Sequence, residues 1–598
     1  MPNALRLSAP ADRTRPSAST SRRPFAFVLR LAIAAIACGG GSPVFAQTSS
    51  WGVATPRLVF STYLGGSTAC KDCSEVRTFA ENAASDAWGN SYVTGATTVS
   101  DLAASACQGK PAPNSTLSAF VAKYDAYGRL LWCTYLGGNK QSMGVGVAVM
   151  PDGGVAVGGM TQSDASQPFP TLNAFQNTYN GGKSDYFVSV FNAKGKLRYS
   201  TYLGGSNLDG EVNEQTGNYD DNNSNGNNIA VDANGLVYLT GVTASRGGPA
   251  PAIKFPVTWN AIQPNMKGDD GTTDAFLCIL DPKKSGRASL RYCSFLGGKK
   301  NEKGHSVAVN AFGSAIAVAG YTNSSDFPTT PNGYRRAPPQ NGFTSNSFVA
   351  RFRVAQYCPA FVSCRYMMQY STYLGGHLNN GGGGPRSDTY DLAIDSRGFI
   401  VATGRTADAD FPMTPSGPSI YNSAPYLLPG KSNDQPYLVK INPSLIGRAS
   451  LVYSTFLGGG GFCTGVAVDP MGDIWVAGEN DADGIQYTST YCPVEAPQKF
   501  PYTKNALIPS HPGAEGVIHA TVMRIAPNGH SLSYSTYLGG TQNDRSYGLA
   551  VDRFGNVVVS GVTSSQDFPL KKPAQGWPPG SIQNAFITKF SSHWPYLW

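Results

Sequence analysis

Charged side chains and histidines are scarce in this sequence. Of its 598 residues, only 14% are Asp, Glu, Lys or Arg, and only six are histidine. An HExxH zinc motif, a G-x-S-x-G nucleophile turn and a glycine-rich phosphate-binding loop are all missing. These absences exclude the usual signatures of metalloproteases, serine hydrolases and nucleotide-binding enzymes, and no catalytic residue is assigned.

The basic net charge does not indicate a nucleic-acid partner. The formal charge is +8, but residues 1–46 contain six Arg and a single acid, Asp12. The rest of the chain carries only about +3 and has no basic run or RNA-reading motif. After residue 46, no apolar run is long enough to span a bilayer. We therefore expect neither a nucleic-acid partner nor a transmembrane segment.

Residues 1–46 have the organisation of a secretion signal. A basic segment precedes the apolar run 31–37, and Val44-Phe45-Ala46 fits a small-residue cleavage site. The sequence 21–25, Ser-Arg-Arg-Pro-Phe, resembles a twin-arginine export signal. An ordinary Sec leader and a lipoprotein signal ending at Cys38 are the alternatives. We expect an exported protein of the periplasm, the cell surface or the extracellular space.

Ten cysteines remain after the leader, and an oxidising compartment allows them to pair. Cys278 and Cys293 lie opposite each other in a predicted hairpin. Cys70-Lys-Asp-Cys73 is interpreted as structural rather than redox-active or metal-binding, because no second C-x-x-C accompanies it. Further candidate pairs are Cys358 with Cys364 and Cys463 with Cys492, while the pairing of Cys70, Cys73, Cys107 and Cys133 stays open.

A six-residue motif, Ser-Thr-Tyr-Leu-Gly-Gly, recurs with small variations and indicates an architecture built by repetition. Each unit contains four strand-like runs, called a to d here, and the motif forms the end of strand d. A D-x-x-G turn joins strands a and b, and its Asp is interpreted as a turn residue rather than a catalytic carboxylate. Phe-Pro follows strand b in six units and is missing from the first. The seven copies of the motif begin at Ser61, Cys133, Ser200, Cys293, Ser371, Ser454 and Ser535.

The number of strands predicts a closed ring. The last unit has no strand d after its strand c, whereas Leu58–Leu64 is a strand d with no unit before it. Pairing Leu58–Leu64 with Ala585–Phe590 would complete the last sheet and remove the orphan edges. The predicted fold is therefore all-β: a single seven-bladed β-propeller of four-stranded blades over residues 47–598, closed by the N-terminal strand.

Four motifs recur together through residues 51–598: S-T-Y-L-G-G, G-[IVL]-A-V-D-x-x-G-x-[VI]-x-V-x-G-x-T, D-F-P-T-T and D-A-F-V-x-K. This combination closely resembles the bacterial seven-bladed β-propeller repeat family, SBBP. The resemblance implies a secreted or cell-surface bacterial propeller. It implies no activity, because the family has no shared catalytic motif to carry over.

The longest connections are predicted on one face of the ring, where the d–a and b–c segments emerge. Loops on a rigid scaffold commonly carry function, so we interpret this as a binding face, with drift of unconstrained loops as the alternative. The b–c segments concerned are about 244–274, 323–346, 407–435 and 481–518, and the d–a segments are 206–227 and 377–390.

On the same face, the residue before each predicted strand a would form a mixed ring at the channel mouth. Its seven members are Glu81, Val145, Asn227, His305, Tyr390, Thr464 and Tyr547. The polar and aromatic ones, Glu81, Asn227, His305, Tyr390 and Tyr547, are the candidate ligand-binding residues. His305 is also a candidate general base or metal ligand, with His377 on the next d–a segment. Solvated loop ends are the alternative interpretation.

One d–a segment matches the ligand spacing of a calcium loop. Asp221, Asn223 and Asn225 alternate before Gly226, and Asp232 follows at the twelfth position. Against calcium, Asp232 already belongs to an a–b turn and no helices flank the loop. A chance match in an Asn-rich insertion is the alternative, and calcium is the single cofactor that the sequence suggests.

These observations favour an exported, non-catalytic binding or surface-interaction propeller. It would act as a monomer and recognise a carbohydrate, peptide or protein partner through its long-loop face. A secreted hydrolase or lyase with a metal- or His-assisted site at the channel mouth is the first alternative. A purely structural envelope protein is the second.

Overall fold

The computed structural model confirms a seven-bladed β-propeller of four-stranded antiparallel blades. The structure describes residues 55–592 except 72, 105, 110, 112–114, 211–226, 248–251, 339–344, 355–365, 377–385, 409, 415–433, 481–499, 515 and 530. Two four-residue 3-10 helices, Gly286–Ser289 and Gly447–Ser450, are the helices of this part of the chain. Neither comes near the length and apolarity that crossing a membrane requires.

The strands are numbered in chain order, and each blade is given from strand a to strand d. Blade 1 is β2 (Thr78–Ser85), β3 (Ser91–Thr97), β4 (Ser118–Tyr124) and β5 (Leu130–Leu136); blade 2 is β6 (Ser142–Val149), β7 (Val155–Thr161), β8 (Asp185–Phe191) and β9 (Leu197–Leu203). Blade 3 is β10 (Ile229–Val231), β11 (Val237–Thr243), β12 (Asp274–Leu280) and β13 (Leu290–Leu296); blade 4 is β14 (Glu302–Val309), β15 (Ala315–Thr322), β16 (Asn346–Val354) and β17 (Tyr366–Leu374). Blade 5 is β18 (Ser387–Ile394), β19 (Ile400–Thr406), β20 (Gln435–Ile441) and β21 (Leu451–Phe456); blade 6 is β22 (Phe462–Val468), β23 (Ile474–Asn480), β24 (His519–Ile525) and β25 (Leu532–Leu538). Blade 7 is β26 (Asp544–Val551), β27 (Val557–Thr563), β28 (Asn584–Ser591) and β1 (Arg57–Leu64).

The N-terminal strand closes the ring as predicted. Strand β1 pairs antiparallel with β28, with Leu58 opposite Phe590 and Leu64 opposite Ala585. Ser61 and Thr588 also share a hydroxyl hydrogen bond of 2.8 Å across this pair. The last sheet is therefore built from both ends of the propeller, and its order is β1-β28-β27-β26.

The aspartate of the D-x-x-G turn makes both the predicted turn hydrogen bonds and an ion pair that the sequence did not predict. In the last blade, Asp552 Oδ1 accepts hydrogen bonds from the backbone N–H groups of Phe554 and Asn556, both at 2.9 Å, which confirms the turn role. Its other oxygen lies 3.1 Å from Lys589 Nζ, and both side chains are buried. Lys589 also donates to the carbonyl of Gly89 in blade 1 (2.5 Å). The turn aspartate and the lysine of strand c thus connect neighbouring blades.

The b–c segments run along the outer edge of strand d. In blade 7, Ser61 N–H donates to the carbonyl of Lys571 (2.8 Å), and Lys571 N–H donates to that of Ser61 (3.1 Å). Leu172 and Ser200 exchange the same pair of bonds in blade 2. An exposed sheet edge invites pairing with another chain, so covering it protects the molecule. Part of the length that predicted a binding face therefore belongs to the scaffold.

The Gly-Gly pair of the repeated motif joins one blade to the next. In the last copy, Gly540 N–H donates to Asp544 Oδ2 (2.8 Å) at the start of the following strand a. The next amide, of Thr541, donates to Asp567 Oδ1 (2.9 Å) of the D-F-P motif. A Cβ at Gly540 would lie 2.2 Å from that same Asp567 oxygen, which no side chain tolerates. The glycine is required because the loop of the next blade packs directly on its backbone.

Three disulfides are present among the described residues: Cys70–Cys73, Cys107–Cys133 and Cys278–Cys293. The last pair is the predicted hairpin bridge, and its cysteines are register partners on β12 and β13. Cys463 forms no disulfide with another described cysteine, and burial raises the pKa of its thiol to about 12. Its predicted partner Cys492, like the pair Cys358 and Cys364, lies outside the described residues.

Candidate functional site

In six blades the structure places the predicted channel-mouth residue inside strand a rather than before it. In these blades strand a begins three or four residues earlier than expected, as β14 does at Glu302. His305 then falls at a bulge between Gly304 and Ser306, where the register of strands a and b shifts by one residue. The residues at this bulge in six blades are Glu81, Val145, His305, Tyr390, Thr464 and Tyr547.

These bulge residues are buried. Glu81 is 2% exposed, Tyr390 4% and His305 5%. Strand a of each blade contacts strand a of both neighbours, so it is the innermost strand of the ring. The interpretation of these positions as solvated loop ends is therefore wrong for the bulge residues. Asn227 precedes the short strand β10 and is only half-buried.

A second layer of residues accompanies the bulge, and we call it the mouth layer. It consists of the residue two positions before each bulge on strand a and its register partner, the middle residue of the G-x-T that ends strand b. In blades 4, 5 and 6 these pairs are Lys303 with Tyr321, Asp388 with Arg405, and Phe462 with Glu479. In blades 1 and 2 they are Phe79 with Ala96 and Met143 with Met160. The mouth layer is therefore charged and aromatic in blades 4, 5 and 6, which we call its charged half, and apolar in blades 1 and 2. In blade 7 it pairs Arg545 with Val562, and Arg545 Nη1 lies 3.4 Å from Glu479 Oε2.

Arg405 is fixed at the centre of the charged half. Its Nε lies 3.1 Å from Asp388 Oδ2, and its Nη1 lies 3.2 Å from Asp434 Oδ2. Arg386 contacts the same Asp434 oxygen. The Arg405 guanidinium also stacks over the ring of Tyr390, 5.4 Å from its centroid. A guanidinium bound on two sides by carboxylates and stacked on a ring has little freedom to move.

Aromatic rings connect the charged half across three blades. His305 stacks on Tyr390 with ring centroids 5.1 Å apart, and Tyr390 meets Phe462 edge-on at 5.6 Å. His305 also contacts Tyr321 at 5.7 Å. Aromatic pairs at these separations stabilise one another beyond their buried area. The predicted residues His305 and Tyr390 are thus brought together with Phe462 and Tyr321, which the sequence analysis did not select.

Burial sets the protonation of this cluster. It lowers the pKa of Lys303 to about 7, against the charge of Asp388, which raises it. Burial also raises the pKa of Tyr321 to about 12 and that of Tyr390 well above its usual value. Lys303 is therefore partly neutral near pH 7, and the two tyrosines stay protonated.

Beneath the mouth layer, Asp391 joins four blades. Its Oδ1 accepts a hydrogen bond from Ser306 Oγ (2.7 Å) and its Oδ2 one from the backbone N–H of Val466 (2.8 Å). Burial raises the pKa of Asp391 to about 6, although these bonds and one from the Asn227 backbone lower it. Blades 3, 4, 5 and 6 meet at this carboxylate, which gives the charged half a rigid floor.

Two blade junctions carry buried pairs of acids where the first residue of strand c meets the next blade. They are Asp185 with Asp209 and Asp274 with Glu302. Burial, together with the charge of its partner, raises the pKa of each aspartate on strand c to about 8. A Cβ on the adjoining Gly297 would lie 2.6 Å from both Asp274 Oδ1 and Glu302 Oε2, so these oxygens are close neighbours. At the same position, blades 4 and 7 have the neutral amides Asn346 and Asn584.

Most of the candidate calcium loop lies outside the described residues. Asp221, Asn223 and Asn225 lie outside the described residues, as does His377. Asp232 is described, and its Oδ1 accepts the N–H groups of Asn234 (3.0 Å) and Leu236 (2.9 Å) in the a–b turn. Among the described residues, no group of three metal-binding side chains is assembled. Calcium at this loop stays a prediction.

Lys303, Asp388, Arg405 and Glu479 belong to no known motif and were not among the predicted site residues. A signal was present in the repeat itself, because the middle residue of G-x-T is small or apolar in four units. In three consecutive units it is Tyr321, Arg405 and Glu479 instead. Comparing equivalent positions between repeats, rather than searching for known motifs, would have selected them.

The fold and this site define a seven-bladed β-propeller with an asymmetric channel mouth. Residues 533–569 match the family described as SBBP, a β-propeller repeat. This part of the chain thus carries an SBBP repeat, in agreement with the resemblance of its motifs.

Comparison with other proteins adds the following similarities. The chain is 25% identical over 218 residues to the regulatory protein FlaEY of Caulobacter vibrioides, which is 36% of this chain and 19% of FlaEY. The match thus spans about a fifth of the length of that protein. Among solved structures, a quinohemoprotein alcohol dehydrogenase of Pseudomonas putida is matched over 92% of this chain and 78% of its own, at 11% identity and a TM-score of 0.32. The GH74 enzyme of Niastella koreensis is matched over 85% and 71%, at 10% identity and a TM-score of 0.19. At such scores neither enzyme bears on the function of this chain.

Proposed function

We propose that this protein is an exported, non-catalytic binding propeller that recognises a carbohydrate, peptide or protein partner at its channel mouth. The observation that carries the proposal is the asymmetry of the mouth layer. The face is the one where the long d–a and b–c segments emerge, and the charged half belongs to blades 4, 5 and 6.

The asymmetry supports function because the scaffold does not need it. Blades 1 and 2 fill the same positions with Phe79, Ala96, Met143 and Met160, and their strands pair in the same register. Burying a charge costs free energy unless it is paired, and a buried ion pair is seldom more stabilising than apolar side chains of the same volume. Charges kept where apolar residues suffice are best explained by a ligand.

The repeated motifs also support a site at the mouth, because their residues are already engaged in holding the blades together. The D-x-x-G aspartates bind turn amides, and the Gly-Gly pair binds the next blade. The residues of the mouth layer, which differ from blade to blade, are therefore the ones available to recognise a ligand. An aromatic row with fixed charges beside it suits a polar ligand that also has an apolar surface.

The test exchanges the charged half for the apolar half. The double substitution Lys303→Met with Tyr321→Met copies the Met143–Met160 pair of blade 2 into blade 4. Mature protein, residues 47–598, is screened on glycan arrays and against envelope fractions, with and without calcium. We expect the double variant to lose the captured ligand, while the control Val452→Met, on the exposed outer strand of blade 5, keeps it. Undiminished capture by the double variant would refute the proposed site.

A secreted hydrolase or lyase at the same mouth is the second candidate. Lys303, with a pKa of about 7, is chemically suited to act as a base or nucleophile, and His305 and Tyr321 lie in the same cluster. If an activity is found, separate substitutions of Lys303, His305 and Glu81 show whether the mouth catalyses the reaction or only binds a ligand. Unchanged turnover in all three variants excludes this site. A purely structural envelope role predicts no ligand in either the glycan or the envelope arm.

A further inference from the structure

A cleft opens beside the strand that closes the ring, away from the channel mouth. Its volume is about 510 Å³, which falls within the roughly 300–1,000 Å³ of typical ligand sites. One wall is the b–c segment of blade 7, Lys572–Gln575, and the other is the b–c segment of blade 1, with Ala103 and Ala104. The c–d turn of blade 1 lines the rest of the cleft with Tyr124 and residues 127–130.

The backbone of both walls is strained. Ala103 has a φ of 54°, Ala104 of 52° and Lys572 of 46°. Only four non-glycine residues of the described chain have a positive φ, and three of them line this cleft. The fourth is Asn173, a residue type that tolerates this conformation, whereas alanine and lysine have no such compensation. Strain of this kind is concentrated at binding sites and persists where the surroundings enforce it.

Strong local contacts hold the strained backbone of both walls in place. The disulfide Cys107–Cys133 ties the blade 1 segment to strand d, and Ala103 N–H donates to the carbonyl of Gly65 (2.8 Å). On the other wall, the Gln575 side chain accepts from Gly65 N–H and donates to Gly65 O, both at 3.1 Å. Blade 1 is the unit that lacks Phe-Pro, so its b–c segment takes a path of its own. The cleft is therefore formed before a ligand arrives, which lowers the cost of binding.

The lining of the cleft contains two basic and two aromatic residues, and the acid beside it, Asp125, is paired with Arg129. Lys572 and Arg129 supply the positive charge, and Arg129 is held by Asp125 through its Nε (3.1 Å). The ring of Tyr127 is 72% exposed at the rim, while the alanines and Leu130 supply apolar surface. We propose that this cleft binds a carboxylated oligosaccharide, with the uronate carboxylates at Lys572 and Arg129 and a sugar face on Tyr127.

The probe is tri-galacturonate, titrated calorimetrically into the mature protein. We expect Lys572→Gln and Tyr127→Ala each to weaken binding about tenfold, the size of one charged hydrogen bond or aromatic contact. The control is Lys196→Gln, because Lys196 occupies in blade 2 the turn position that Arg129 occupies in blade 1. This variant, and the Lys303→Met/Tyr321→Met variant of the channel mouth, should bind tri-galacturonate normally.

Two further ligands distinguish the contribution of the carboxylates to the affinity from that of the sugar. Neutral maltotriose should bind at least about tenfold more weakly, because it lacks the carboxylates. Acetate should not compete at equal concentration, since it offers a single carboxylate and no sugar face for Tyr127. The proposal is overturned if tri-galacturonate does not bind, if Lys572→Gln and Tyr127→Ala bind like the control, or if acetate competes fully, which would show a plain anion site. Loss of ligand at the channel mouth alone leaves this result untouched, so the two proposals fail separately.

Discussion

Deleting residues 51–66 removes strand β1 and should open the ring. The deletion strips β28 of its whole antiparallel partner, from the Leu58–Phe590 pair to the Leu64–Ala585 pair. It also removes three large side chains that are almost fully buried, Phe60, Tyr63 and Leu64. Truncating a buried side chain of this size costs about 2–5 kcal/mol, so the three together cost roughly 6–15 kcal/mol.

That loss is as large as the stability of a typical domain, about 5–15 kcal/mol. We therefore expect the deletion variant to lose its cooperative thermal transition, measured by circular dichroism and by calorimetry. A smaller perturbation, Phe60→Ala, should lower the free energy of unfolding by about 3–5 kcal/mol. Its control is Leu131→Ala in blade 1, because Leu131 is exposed and should change stability by less than about 0.5 kcal/mol.

Adding the missing strand back provides the decisive arm of this experiment. A synthetic peptide of residues 55–66 should restore a cooperative transition to the deletion variant in a concentration-dependent way, since a ligand that binds the folded state stabilises it by mass action. An unchanged melting transition in the deletion variant would refute closure by β1. A transition that the peptide does not restore would show that the loss has another cause.

Two more predictions concern buried ionisable groups. The raised pKa values of Asp274 and Glu302 mean that the folded protein keeps protons which the unfolded chain releases above about pH 4. Their stabilising effect is therefore complete below that pH and is lost as the pH rises through 7 and 8. Urea unfolding should show lower stability at pH 8.5 than at pH 5.5, and Asp274→Asn should reduce this difference; an equal difference in the variant would contradict the assignment. Asp552→Ala leaves the buried Lys589 without its carboxylate and should cost about 3–5 kcal/mol, whereas Asp552→Ala with Lys589→Met should recover part of it. Additive losses in that double variant would exclude the ion pair.

The fold was predictable because its determinants are local and repeated. An Asp that binds the amides of its own turn and a Gly in a left-handed turn conformation act within a few residues, as Asp552 and Gly555 do. The Gly recurs in all seven units and the Asp in five, which made the turns easy to recognise, and counting strands gave the closure by Leu58–Leu64.

The site was only partly predictable because it depends on pairing between distant residues. His305 and Tyr390 were selected by position, but the bulge that buries them exists only when strand a pairs with strand b. Arg405 acquires its role from Asp388, its register partner, and from Asp434, which the chain reaches much later. The cleft at the ring closure needs both ends of the propeller, so no single stretch of sequence could indicate it.

The most direct test of the channel mouth as the binding site is hydrogen–deuterium exchange with and without the captured ligand. We predict slower exchange at the N-terminal ends of β14 and β18 and at the C-terminal end of β19, where Lys303, Tyr390 and Arg405 lie. The D-x-x-G turns on the opposite face should exchange at unchanged rates. Protection of those turns, with no change at the mouth, would contradict the account.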